Sequence, residues 1–294
     1  MQNIMKKIKI VTDSNSGITQ EEGKSLDVFV VPMPFTINCE EYFEEITISQ
    51  ETFFELLEQG ADVTTSQPSQ SYLETVWKDL LNEYEQIIYI PMSSGLSATC
   101  ENAKKYAEQF GGRVLVADNL RISVPQKISV YEAAQMAKEG KSAEEILQHL
   151  ENTKGKCSIY LTVSELKYLK RGGRITPAVA TLGDMLHLKP ILSTRGQSFD
   201  KFAIALSIGQ AKKKMIQQIQ KELLTEFKEE YEQGKIALLV AYSKTKDEAV
   251  KFGKEIEAAF PNMKVLYTDP LSLSVSCHTG AGALGIGICV CNYL

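Results

Sequence analysis

The stretch from Gln86 to Ser97, which reads QIIYIPMSSGLS, decides the fold class of this chain. Its first half, up to Pro91, is an apolar run with the length and composition of a buried strand. Its second half, Ser93–Ser97, is a loop rich in hydroxyl groups, and a helical pattern follows over residues 98–110. A strand that leads through a short polar loop into a helix is the repeating unit of a parallel sheet covered by helices.

The same alternation continues on both sides of that stretch. Two capping boxes, Thr19 with Glu22 and Ser142 with Glu145, each begin a helix. The patterns predict strands over residues 7–11, 28–33 and 113–117. They predict helices over residues 51–59, 72–84 and 142–153, and a further helix that follows the third of these strands and ends at residue 140. Ligands of such sheets bind beyond the carboxyl ends of the strands, so we expect a site among the polar loops 12–17, 64–69 and 93–97.

The second half of the chain shows a different pattern. Two short strands, residues 189–193 and 198–203, flank Arg195-Gly196 and are typical of a hairpin. Further strands are predicted at 157–163, at 236–242 and near the end, and helices at 164–170, 177–187, 208–231 and 246–260. A hairpin combined with crossover helices favours a mixed sheet. We therefore expect two α/β domains, residues 1–155 and 156–294, with the ligand between them.

The composition excludes several classes of protein. The chain has 294 residues, 44% of them hydrophobic, and a net charge of −5 without a clustered basic stripe, which argues against nucleic-acid binding. The six cysteines form no C-x-x-C pair and are expected to be reduced. The N-terminus lacks a signal-peptide pattern, and the apolar run 283–294 is shorter than the about 20 residues that span a bilayer. These features predict a cytoplasmic protein without stable membrane insertion.

Catalytic, cofactor and metal motifs are weak or missing. The three histidines, His149, His187 and His278, lie far apart in the sequence, so we expect no metal site. Residues 280–285 fit G-x-G-x-x-G, but the chain ends before the acidic residue that a dinucleotide site needs. The P-loop and the G-x-S-x-G motif do not occur. A triad of Ser94, His278 and Asp13 can be drawn, which leaves a serine-dependent acyl hydrolase as an alternative.

Hydroxyl groups and one imidazole form the strongest candidate site. They come from the loops that contain Thr65 and Ser66, Ser93 and Ser94, and His278. Neutral donors of this kind suit a carboxylate or phosphate better than bond-breaking chemistry. Two ordinary explanations remain open: the hydroxyl groups can cap turns and helices, and the basic stretch Leu169–Ile175 can be a helix C-terminus.

Six stretches that occur in the family's order resemble the DegV family of bacterial fatty-acid-binding proteins. They cover nearly the whole chain and read VTDS from Val11, TTSQPS from Thr64, SSGLS from Ser93, LKRGGRI from Leu169, LKPIL from Leu188 and HTGAGALG from His278. The resemblance implies two α/β domains that hold one long-chain fatty acid, such as palmitate or oleate, and a binding protein that is not itself an enzyme and needs no cofactor.

The resemblance also implies roles for particular residues. The family's head-group ligands correspond to Thr65 and Ser94, with Ser93 and Ser66 beside them and His278 supplied by the second domain. Relatives in Gram-positive bacteria present the bound acid to a fatty acid kinase, and they carry a basic motif after the hairpin. Here the matching segment, residues 204–211, has no charge, which weakens the case for a kinase partner. A carrier of another amphiphile or of a phosphorylated metabolite is a further alternative.

Overall fold

The computed structural model describes residues 6–182 and 188–293. Its strands are β1 (Lys6–Asp13), β2 (Val28–Val31), β3 (Pro34–Ile37), β4 (Glu40–Phe43), β5 (Val63–Thr65), β6 (Tyr84–Ile90), β7 (Val114–Val116), β8 (Cys157–Thr162), β9 (Lys189–Thr194), β10 (Asp200–Ala205), β11 (Ile236–Tyr242), β12 (Val265–Pro270) and β13 (Leu284–Val290). Its α-helices are α1 (Gln20–Ser25), α2 (Gln50–Glu58), α3 (Gln70–Leu80), α4 (Thr99–Ala107), α5 (Ser123–Lys138), α6 (Ala143–Asn152), α7 (Lys167–Gly172), α8 (Pro177–Ala180), α9 (Ile208–Leu223), α10 (Lys228–Glu232), α11 (Lys246–Ala259) and α12 (Leu273–Thr279).

The first sheet is parallel and has the strand order β2-β1-β6-β7. Side chains of β6 alternate between its two faces, as a strand requires. Ile88 and Ile90 pack against α5 and α6 on one face, and Ile87 and Tyr89 pack against α3 and α4 on the other. This confirms the parallel sheet with helices on both faces that the QIIYIP stretch predicts.

The second sheet has the strand order β10-β9-β8-β13-β11-β12. β11 and β12 are parallel, the other neighbours are antiparallel, and β9 with β10 form the predicted hairpin. Helices α9 and α11 cover one face. The opposite face packs on α5 through Val124 and Ile128, so α5 lies between the two sheets. The mixed sheet is confirmed, whereas the domain border at residue 155 stays a prediction.

A third, three-stranded sheet with the order β4-β3-β5 was not predicted. Its strands have only three or four residues each, which is too short for an alternating pattern to stand out. Phe35 and Phe53 build a small core beneath it. Its strand β5 ends at Thr65, so this sheet carries part of the candidate site.

Several predicted helix boundaries were wrong. The helix predicted over residues 72–84 ends at Leu80 because Tyr84 already belongs to β6, and the helix predicted over residues 208–231 is divided into α9 and α10. The helix predicted at 164 begins at Lys167. The stretch 276–280 was predicted to be a loop around His278, but all of it except Gly280 belongs to α12. The predicted extension of α8 to His187 lies outside the described residues.

Both capping boxes are confirmed, at Thr19 with Glu22 and at Ser142 with Glu145. In each, the hydroxyl accepts from the third backbone N–H while the glutamate carboxylate accepts from the cap N–H. Within the described residues, no helix combines the length and the apolar character needed to cross a membrane.

Candidate functional site

A cavity of about 150 Å³ lies where the small sheet, the loop after β6 and helices α7 and α12 meet. Both halves of the chain contribute to its wall. The polar lining residues are Asn15, Thr65, Ser66, Gln67, Ser97, Arg174, Ser274, His278 and Thr279. The apolar lining residues are Met33, Met92, Leu96, Ala98, Ile122, Leu169, Phe199 and Val275. The wall of the cavity therefore combines polar and apolar groups.

Thr65 and His278 meet at the polar end of the cavity. The Thr65 hydroxyl oxygen lies 2.9 Å from Nε2 of His278, although the two residues are 213 positions apart. Thr65 ends β5 and His278 lies in the last turn of α12. Ser66 lines the same wall, and its backbone N–H donates to the carbonyl of Pro34 at 3.2 Å. Three of the five residues proposed from the sequence thus share one site.

Glycine at position 172 makes room for the imidazole of His278. A Cβ atom at that position would lie 2.9 Å from Cε1 and 3.1 Å from Cγ of His278, and closer still to Nδ1. These distances are shorter than the about 3.5–4.0 Å of ordinary contact between nonbonded atoms. Gly280 is packed in a similar way: its φ is +70°, and a Cβ there would meet the ring of Tyr168 at 2.5 Å.

The surroundings of His278 favour its neutral form. Burial, together with the positive charges of Arg174 and Arg171, lowers the pKa of the imidazole to about 4. Desolvation and two nearby cations both penalise the imidazolium.

Arg174 is the charged residue of the cavity wall, and the sequence did not single it out as a site residue. The stretch Leu169–Ile175 does contain a helix C-terminus: α7 ends at Gly172, and Gly173 follows with φ +68°. Arg174 comes immediately after this end and its guanidinium lines the cavity, where it donates to the carbonyl of Leu96 at 3.1 Å. A fixed positive charge beside neutral donors suits a bound anion. The sequence signal that could have identified this residue is an arginine that directly follows the pair Gly172-Gly173.

Arg171 connects the two halves of the site. Its guanidinium donates to the Asp62 carboxylate at 2.6 Å and to the carbonyl of Val63 at 2.5 Å. These bonds run from α7 to the start of β5, the strand that ends in Thr65. They hold the hydroxyl of Thr65 in place relative to the helix that contacts His278.

Ser93 and Ser94 are engaged elsewhere. The Ser93 hydroxyl donates to the carbonyl of Gly196 and accepts from the N–H of Gly95 at 3.1 Å. The Ser94 hydroxyl donates to the Asp118 carboxylate at 2.7 Å. Neither serine lines the cavity that contains Thr65. Their predicted role as head-group ligands requires them to exchange these partners, and it stays a prediction.

The triad that a serine hydrolase would need is not assembled. Ser94 is bonded to Asp118, and His278 is bonded to Thr65. Asp13 is fully buried and accepts from the backbone N–H of Met92 at 2.8 Å. Burial raises the pKa of this carboxyl to about 6. Among the described residues, the side-chain hydrogen bonds of Ser94 and His278 thus lead to Asp118 and Thr65, and they join neither residue to the other or to Asp13.

The apolar region of the cavity continues toward the second sheet. A further space of about 40 Å³ shares Ile122, Phe199, Val275 and Thr279 with the first cavity, and its exposed lining is entirely apolar. It lies between the N-terminal turn of α5 and strands β8, β11 and β13. The two spaces together form a polar end followed by an apolar path into the core.

The remaining histidines fit a structural role where they are described. His149 Nε2 lies 3.0 Å from the buried carboxylate of Glu132. His187 lies outside the described residues. In residues 6–182 and 188–293, no group of three or more histidine, cysteine, aspartate or glutamate side chains is arranged to hold a metal ion.

Comparison with known proteins gives consistent matches over nearly the entire chain. Residues 7–290 match the model of a family described as an uncharacterised protein of the DegV family. The protein DegV of Bacillus subtilis is 31% identical over 287 residues, which are 96% of this chain and 99% of that protein.

Solved structures agree with this match. One is described as fatty acid binding of a DegV family protein from Thermus thermophilus, and it has 29% identity, a TM-score of 0.82 and coverage of 97% of this chain and 99% of its own. Another is DegV of Bacillus subtilis, described as a fatty acid binding protein, with 28% identity, a TM-score of 0.82 and the same coverage. On the match of residues 7–290, the arrangement of the sheets and these neighbours, the chain belongs to the DegV family.

Proposed function

We propose that this protein binds one long-chain fatty acid without a covalent bond and without catalysing a reaction. The observation that carries the proposal is the cavity with Thr65, His278 and Arg174 at its polar end and an apolar path toward the second sheet. Two relatives of similar fold are described as fatty-acid-binding proteins, which supports the same ligand class. Palmitate and oleate are the ligands we expect.

The polar end suits a carboxylate taken out of water. A buried carboxylate is costly unless it is paired and hydrogen-bonded. The neutral imidazole of His278 can donate from Nε2 to the hydroxyl of Thr65, which then donates to the carboxylate, and Arg174 supplies a positive charge. Ser66 completes the proposed set of head-group ligands, together with Ser93 and Ser94 once their hydroxyls exchange their present hydrogen-bond partners.

The apolar path suits an acyl chain. Each buried methylene group contributes about 0.8 kcal/mol, so the chain supplies most of the affinity while the head group fixes the orientation. Cavities of about 150 and 40 Å³ are smaller than the about 300–1,000 Å³ of ordinary ligand pockets. Binding a full-length chain therefore requires flexible lining side chains, such as Met92 and Leu96, to move.

Presentation of the bound acid to a fatty acid kinase is the finer proposal, and it is supported by the family resemblance alone. The uncharged segment 204–211 includes exposed Leu206 and Ile208 where kinase-coupled relatives have basic residues. The test is consumption of ATP by a purified fatty acid kinase with the loaded protein as substrate. Consumption no greater than with free fatty acid would exclude this role. A cytoplasmic location likewise stays a prediction.

Two neighbouring threonines provide a matched test of the binding site. Thr65 faces the cavity, whereas the exposed Thr64 hydroxyl lies 2.7 Å from that of Thr36 on the small sheet. Thr65→Val keeps the side-chain shape but removes a hydrogen bond to a charged group, which contributes about 1.5–3 kcal/mol and hence about 10- to 150-fold in Kd. Thr64→Val is the control. Palmitate titrations of delipidated protein measure both.

Equal affinity of Thr65→Val and Thr64→Val for palmitate would mean that Thr65 does not bind the head group. Absence of palmitate and oleate binding in the wild type would reject the proposed function itself. Another amphiphile with an anionic head would then have to be identified from lipid extracts.

A further inference from the structure

The far end of the apolar path is built around two glycines in the middle of a buried strand. Gly285 and Gly287 lie in β13, the third strand from one edge of the six-stranded sheet, and both line the 40 Å³ cavity. Glycine weakens a strand interior because it costs more conformational entropy and offers no side chain for packing. Two of them in a fully buried strand therefore call for a reason.

The two faces of β13 differ sharply. Ile286, Ile288 and Val290 fill the core under α9 and α11. Gly285, Gly287 and Cys289 alternate with them and so point to the opposite face, toward α5. On that face Gly285 and Gly287 have no side chains, and this leaves the 40 Å³ cavity between the sheet and the first turn of α5.

Close contact with neighbouring atoms explains why residue 285 is a glycine, but it does not explain why residue 287 is one. A Cβ atom on Gly285 would lie 3.0 Å from the carbonyl oxygen of Tyr160, which is too close. A Cβ atom on Gly287 would lie 3.5 Å from the carbonyl oxygen of Ser158, 3.7 Å from Ile159 and 3.9 Å from Pro125, all ordinary contact distances. A side chain at position 287 would thus fit the backbone and project into the cavity that Ile159 and Pro125 line.

We propose that Gly287 determines how long an acyl chain the protein accepts, because the methyl end of the chain occupies the space that a side chain at this position would fill. The inference rests on the proposed fatty-acid binding and adds the place where the methyl end of the acyl chain lies. Protein interiors are close-packed, so added carbon atoms at position 287 must displace carbon atoms of the ligand.

The test uses two graded substitutions, Gly287→Ala and Gly287→Val, in the full-length protein. Affinities for myristate, palmitate and stearate are measured after delipidation. Each buried methylene contributes about fourfold in affinity. We expect the preference of stearate over myristate to fall at least about tenfold in Gly287→Val and by a smaller factor in Gly287→Ala, which remains informative if the valine variant does not fold.

The matched control is Ile288→Val, a change of one methylene on the opposite face of the same strand. It should leave the order of preference among the three acids unchanged. Unaltered preference in both Gly287 variants, or an equal change in Ile288→Val, would overturn the inference while fatty-acid binding by the wild type still stands. A wild type that binds none of the three acids would instead reject the proposed function.

Discussion

Replacement of Gly172, the last residue of α7, by alanine tests whether this glycine positions His278. The backbone at Gly172 is helical and accepts alanine without strain. The new methyl group, however, would overlap the imidazole, which must move away. That movement breaks the 2.9 Å contact between Nε2 of His278 and the hydroxyl of Thr65.

The expected loss of stability can be estimated from these contacts. A lost neutral hydrogen bond costs about 0.5–1.5 kcal/mol, and forcing an extra methyl group into a packed site costs about 1–3 kcal/mol. The higher helix propensity of alanine offsets at most about 1 kcal/mol of this loss of stability. We expect Gly172→Ala to lower the free energy of unfolding by about 0.5–4.5 kcal/mol, measured by urea denaturation, and to weaken palmitate binding.

The neighbouring glycine and a double mutant provide the controls. Gly173 has φ +68° and open space around its Cβ position, so Gly173→Ala should lower stability through backbone strain and leave palmitate affinity unchanged. In a His278→Ala background the overlap disappears, and Gly172→Ala should then cost little. An equal cost of Gly172→Ala in both backgrounds would refute the reasoning.

Three further predictions concern charge in and near the site. Arg174→Gln should weaken palmitate binding by about 1.5–3 kcal/mol in calorimetric titrations; unchanged affinity would place the guanidinium outside the head-group site. Since the pKa of His278 is about 4, His278→Asn should lower affinity by the same factor at pH 6 and pH 8.5, and a larger loss at pH 6 would indicate a protonated imidazole. Burial raises the pKa of Glu44 from 4.5 to about 7, so the folded state binds more protons across this window and stability falls as pH rises. Relative to wild type, Glu44→Gln should gain about 1–2 kcal/mol between pH 5 and pH 8 in urea denaturation, less than the full shift because the side chain keeps some exposure to water. No gain would contradict the assignment.

Local signals in the sequence were sufficient for much of the fold. The apolar run ending at Ile90 predicted a buried strand, and the pair Ser142 with Glu145 predicted a helix start, because both depend on neighbouring residues alone. Helix α12 was missed since its sequence, LSVSCHT, has few strong helix formers and is stabilised by its surroundings. One such contact is the backbone N–H of Leu273, which donates to the Glu44 carboxylate at 2.9 Å.

The candidate site depended on contacts that no local pattern contains. The family resemblance singled out Thr65 and His278, but only the fold shows that they meet across 213 residues. Arg174 could not be distinguished from the basic end of a helix, because its direction depends on the turn made by Gly173. The hydroxyls of Ser93 and Ser94 looked available in the sequence, yet the fold gives each of them an internal partner.

Lipid analysis of the purified protein tests the central claim most directly. Native mass spectrometry of the intact protein, followed by extraction and identification of the released lipid, determines both occupancy and chemical class. A ligand that binds only the folded state must also stabilise it. We predict one long-chain fatty acid per chain, and a higher melting temperature when palmitate or oleate is returned to delipidated protein. A protein that carries no fatty acid and gains no stability from either acid would contradict the account.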